Sequence, residues 1–174
     1  MLVEEPRLLD LIGLEDLRAL LADAARVSGA PVRVLDTTGS EPLEVGDAQR
    51  LPRLCQMIHT SAAGDGFCRR CVLRAAFQAA GQGGQRAYQC RAGLTLTAAA
   101  IRAGDIYLGT LVLGPALCAT LPPESADEWA TETGLPCHDL RTAGQELPLA
   151  SENLCEKGQG GAGWRRSMIW IMAT

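Results

Sequence analysis

Residues 93–114 read GLTLTAAAIRAGDIYLGTLVLG. Two apolar, strand-favouring runs, 93–102 and 106–114, flank the tripeptide Ala103-Gly104-Asp105. The glycine accepts the positive φ of a tight turn, so the runs read as the two arms of an antiparallel hairpin. A further strand is expected over 86–90, just before the hairpin, and a short one over 32–36. The turn Thr38-Gly39-Ser40 leads to another short strand expected near 43–45.

Helical periodicity separates these strands. From Leu14 to Ser28, Leu14, Leu17, Leu21, Ala24 and Ala25 form one apolar stripe, closed by Gly29-Ala30-Pro31. Leu20 lies off that stripe. A second helix is expected over 48–60, where Leu51, Leu54, Cys55 and Ile58 share a face and Pro52 fits the first turn. Ala63-Gly64-Asp65-Gly66 reads as a break that caps a third helix over 67–80, which Gln82-Gly83-Gly84 ends. The fold class expected is α+β: an antiparallel sheet with helices packed mainly on one face. Beyond Pro115 the pattern weakens, with a helix expected over 124–133 and a Trp- and Met-rich end over 164–172.

The chain has 174 residues, 47% hydrophobic and 21% charged, enough for one well-packed domain. Its net charge of −4 disfavours a nucleic-acid-binding surface, which is normally basic. No apolar run reaches the length of a membrane span, and Met1-Leu2-Val3-Glu4-Glu5 lacks the basic start of a signal peptide. A cytoplasmic protein with reduced thiols is the expectation.

Four of the seven cysteines, Cys55, Cys68, Cys71 and Cys90, follow the spacing C-x12-C-x2-C-x18-C. Cys55 lies on the apolar face of its helix. Cys68 and Cys71 are placed in the first turn of the next, where free amides, the helix dipole, Arg69 and Arg70 would favour thiolate. Cys90 ends a strand. Four thiolates from such elements can hold zinc or a [4Fe–4S] cluster, and residue type does not separate the two. The same cysteines can instead form a redox switch or be small buried hydrophobes. A thioredoxin-type catalyst is disfavoured, because the polar turn 61–66 precedes the CxxC where a buried strand is needed. Cys118, Cys137 and Cys155 share no motif.

No catalytic constellation is found: G-x-S-x-G, P-loop, H-E-x-x-H and dinucleotide fingerprints are all missing. The histidines are His59, one turn beyond Cys55, and His138. Strands 94–102 and 106–114 would floor a small-molecule site. Ala98, Ala100 and Gly109 either leave room for a ligand or let a helix approach closely. Tyr88, Arg102 and Tyr107 are the polar groups that the pattern places best to reach it, with His59 nearby.

The order of features carries a resemblance. It runs through the helix 14–28, then Val32-Arg33-Val34-Leu35-Asp36-Thr37-Thr38-Gly39, Leu54-Cys55, Phe67-Cys68 and Cys90-Arg91-Ala92-Gly93-Leu94. It ends in the hairpin around Ala103-Gly104-Asp105 and Leu108-Gly109. This resembles the PocR sensory domain, a PAS-like domain of bacterial sensor kinases and transcription regulators. The resemblance covers roughly residues 10–118, leaving 119–155 as a partly helical extension and 156–174 as a tail. It implies sensing of a small organic ligand, with diols proposed for the family. Arg91 stands where the family usually has histidine, which makes it a further ligand-binding candidate, and Pro115 stands where glutamine is common.

The reading is a sensory module of signal transduction with a four-cysteine metal or cluster site. It would act through a protein signalling partner or an oligomer, with a homodimer through the helix 14–28 as one form. The alternatives are a redox- or metal-responsive thiol switch and a dimerisation scaffold held by structural zinc.

Overall fold

The computed structural model describes residues 6–41, 51–82, 85–122, 124–147 and 149. The elements, in order, are α1 (Leu8–Leu11), α2 (Leu14–Ser28), β1 (Val32–Leu35), α3 (Arg53–Thr60) and α4 (Ala62–Gln82). Then come β2 (Gln85–Gln89), β3 (Thr95–Ala103), β4 (Ile106–Ala116), α5 (Glu124–Thr133) and α6 (Cys137–Gln145). The strands form one antiparallel sheet in the order β1-β4-β3-β2. This is a mixed α+β domain of PAS-like build.

The 93–114 stretch forms its spine. β3 and β4 pair from Thr95–Ala116 to Ala103–Ile106, and Gly104 takes φ +60° at the turn between them. β4 pairs with β3 and β1 at its edges, and helices cover its two faces: α1 and α2 on one, α4 on the other. Leu111 and Leu113 pack with α1 and α2 through Leu8, Leu17 and Leu21, together with Val32, Val34 and Ile101. Val112, between them in sequence, faces the other way with Leu35, Leu96 and Ala76 of α4. Strand alternation thus builds two cores on one sheet. Each fully buried Leu or Val adds roughly 1.5–3 kcal/mol relative to exposure.

Four helices lie on the α4 side of the sheet. Ala75 and Ala79 of α4 meet Ala98 of β3 in a seam of small side chains. A β-carbon on Gly109 would run into the Leu35 carbonyl of β1. Ala98 and Gly109 therefore serve close packing. Helices α5 and α6 continue this layer, with Trp129, Leu140 and Ala143 buried against Leu54 and Ile58 of α3. Helix α6, which the sequence reading lacks, starts after Pro136 and buries Leu140 and Ala143 at helical spacing.

Three expectations need correction. The third helix does not begin after Gly66: α4 starts at Ala62 and runs 21 residues through Gly64, Asp65 and Gly66. A β-carbon at Gly64 would collide with the main-chain carbonyl of Ile58, so this glycine permits the tight corner between α3 and α4. In addition, Leu14 is 41% exposed and Leu20 is half-buried, which reverses their expected roles on α2. The helix expected over 48–60 begins at Arg53, with Pro52 as its N-cap rather than inside its first turn; the strand expected near 43–45 and the tail over 156–174 lie outside the described residues.

Candidate functional site

A cavity of about 320 Å³ opens where β1 and its following turn meet α3 and α4. Arg33 and Leu35 come from the sheet; Gly39, Ser40 and Glu41 form the rim; His59, Asp65, Cys68, Arg69, Val72 and Leu73 come from the helices. The rim is fixed by Asp36, whose Oδ1 accepts hydrogen bonds from the Thr38 amide (2.8 Å), the Ser40 amide (2.9 Å) and the Thr38 hydroxyl (2.6 Å). Burial pushes the Asp36 carboxyl up, but these donors outweigh it and hold the carboxyl below its ordinary value.

Arg33 is the cavity's most constrained charge. It sits in a four-residue strand between Val32 and Val34, both buried, with its side chain only 13% exposed. Its Nη1 donates to Glu41 Oε1 at 3.0 Å, while its Nε is buried without a hydrogen-bond partner. Across the corner between α3 and α4, His59 Nδ1 and Asp65 Oδ1 are 2.7 Å apart.

The thiols lie behind the cavity, with Cys68 common to both. Cys90 packs with three groups of core residues and Cys55 with one of them. Burial first, then Cys90 and Cys68, push the Cys55 thiol up to about 12. Burial first, then Cys90, Cys71 and Asp65, push Cys68 up to about 11. Burial also raises Cys71, against a hydrogen bond from the Arg91 amide, and raises Cys90, against amide hydrogen bonds from Leu94 and Ala92. All four are free thiols. The expectation of thiolates activated at a helix start is overturned. Cys68 and Cys71 lie inside α4 rather than in its first turn, and desolvation dominates.

These cysteines are electrostatic neighbours. Among the described residues, however, no three His, Cys, Asp or Glu side chains group closely enough to hold a metal ion. Cys118, expected to be reduced, is disulfide-bonded.

The chain matches the family model described as "Sensory domain found in PocR" over residues 10–158. It belongs to this family. No curated protein and no solved structure matches the chain. The PocR sensory domain is a sensing rather than a catalytic unit. Among the described residues, no helix is long and apolar enough to cross a membrane.

The structure distributes the expected ligand-binding residues of this PocR domain over four places. His59 lines the cavity. Tyr88 faces the thiols on the α4 side of the sheet, its hydroxyl buried without a partner. Arg91 lies over the Phe67 ring at 4.9 Å and pairs with Glu132 of α5, so it braces α5 from an exposed position. Arg102 donates to the Ala80 and Asp105 carbonyls and lies over Tyr107, while the Tyr107 hydroxyl bonds Thr110 at 2.7 Å. Arg102 and Tyr107 thus stabilise the hairpin end of the sheet.

Arg33 was not singled out from the sequence, and Arg69 was named only as a neighbour that would favour thiolate at Cys68 and Cys71. A visible signal for Arg33 was an arginine inside the otherwise apolar strand Val32-Arg33-Val34-Leu35, since charge is seldom placed there without a role.

Proposed function

We propose that this chain is a cytosolic ligand-sensing module that takes a small molecule in the cavity between β1, α3 and α4 and signals through a partner protein. The observation that carries this reading is Arg33, a nearly buried cation with an unpartnered Nε on the wall of a cavity. Unpaired buried donors cost free energy in a fold that gains nothing from them, so a bound group is their natural complement. The volume sits at the small end of ligand pockets. The cytosolic placement rests on the five free thiols at Cys55, Cys68, Cys71, Cys90 and Cys137, and the disulfide at Cys118 counts against it. Chemical-shift mapping of the isotope-labelled chain against a metabolite library tests the reading. Shifts clustered on Arg33, His59 and Cys68 are expected, and a library with no such responder would overturn it.

A second reading follows from the proximity of the four free thiols around Cys90. They would bind zinc or a [4Fe–4S] cluster, or respond to oxidants, after drawing together from their separated positions. Elemental analysis and absorbance of anaerobically purified protein test this directly. One equivalent of zinc, or a broad iron–sulfur band, would favour it; metal-free, colourless protein whose four thiols also resist oxidation would remove it.

A further inference from the structure

Within the ligand-sensing reading, on which this step rests, the chemistry left over in the cavity specifies a charge. Two acids line it, and each is already engaged: Glu41 with Arg33 at 3.0 Å and Asp65 with His59 at 2.7 Å. Two guanidiniums line it as well. Arg33 keeps an unpartnered buried Nε, and the Arg69 guanidinium has no hydrogen bond or ion pair among the described residues. The uncommitted polar groups are therefore mainly donors. Cys68, held as a neutral thiol, adds no negative charge to repel an anion. The Leu35, Val72 and Leu73 side chains supply an apolar wall beside these cations.

We propose that the cavity binds a small organic carboxylate, its oxygens held by Arg33 and Arg69 and its carbon chain against Leu35, Val72 and Leu73. Guanidinium groups suit this role because their planar fork meets both oxygens of a carboxylate. A volume of about 320 Å³, at the small end of ligand pockets, suits a small ligand.

The test is thermal-shift and calorimetric titration of the full chain with propionate, lactate, succinate and citrate. The comparison compounds are 1,2-propanediol and inorganic phosphate. At least one carboxylate should raise Tm and bind saturably. Loss of a charge-assisted contact should weaken that binding roughly 10- to 100-fold in Arg69→Gln, with partial recovery in Arg69→Lys. Arg33→Gln should abolish it. Because Arg69 is exposed, its variants report on binding even if Arg33→Gln folds poorly. Carboxylate binding that survives both glutamine variants would overturn the proposal, as would phosphate binding as tightly as any carboxylate. Binding of the diol alone would overturn the carboxylate assignment and leave the sensing reading intact. Failure of every compound would remove the proposal, and a metabolite library without a responder at the cavity would remove the sensing reading with it.

Discussion

Arg33 on β1 and Cys68 on α4 line one cavity, and the charge of the arginine pulls on the thiol's titration. Burial and the neighbouring cysteines push Cys68 up to about 11, and Arg33 opposes them. At pH 8 the thiolate fraction is then on the order of 0.1%, against roughly a tenth for an ordinary thiol that titrates at 9. Native Cys68 should alkylate about 100-fold more slowly than the same cysteine in unfolded chain, as mass spectrometry of quenched time points will show. Arg33→Gln should slow it further. Alkylation at the unfolded rate would mean that the thiol is neither desolvated nor coupled to its neighbours.

The same shifts set an alkaline limit on stability. Cys55 and Cys68 titrate near 12 and 11 in the folded chain, against an ordinary value of 9. Below pH 9 both states keep the proton, so this contribution is fully present. Above it the unfolded chain releases protons first, and folding stability falls as pH climbs toward 11 and 12. Denaturant midpoints should be flat from pH 7 to 8.5 and decline beyond 9. Cys55→Ala should flatten the decline even if it lowers the midpoint overall.

Gly64 and Gly81 lie on the same helix but face different surroundings. Gly64→Ala forces a methyl against the Ile58 carbonyl and should cost about 1–3 kcal/mol. Gly81→Ala meets no atom within 4 Å and should be neutral or add roughly 0.5–1 kcal/mol through helix propensity. Urea melts of the two variants give the comparison; equal midpoints would remove the tight-corner explanation for Gly64.

The exposed side of α1 and α2 bears on oligomerisation. Leu9 (41%), Leu11 (58%), Leu14 (41%) and Val27 (81%) are exposed there, beside a cavity of about 460 Å³ lined by Leu8, Leu11, Leu17 and Leu20. A homodimer through this face is our expectation, since two-fold pairing is the commonest assembly. Leu11→Asp combined with Leu14→Asp should shift light-scattering mass toward monomer with little change in Tm. A monomeric parent protein, or a dimer untouched by both substitutions, would exclude the face.

The strands and helices were legible where one local rule decided them. Two apolar runs around Gly104 marked the hairpin, and the leucine stripe marked α2 with its limits. The start of α4 was not legible, because Gly64 and Gly66 look like a break until the Ile58 carbonyl is in view. That contact is tertiary. The cysteine neighbourhood followed from chain order, but its chemistry did not: the expected activation near a helix start gave way to burial, which spacing does not report. His59, read as able to approach the cysteines from one turn beyond Cys55, lines the cavity between β1, α3 and α4, which the sequence reading did not anticipate. Arg69, taken at first as a thiolate activator, faces the cavity instead.

β4 has one further consequence. Its Val112 belongs to the compartment shared with α4, and its neighbours Leu111 and Leu113 belong to the compartment shared with α2. A single strand is thus a party wall between the compartment of α4 and the side carrying the exposed leucines. Close-packed walls deform poorly. Any sliding or tilting of β4 that a guest on one side provokes is therefore felt on the other within one residue, without a relay of intermediates.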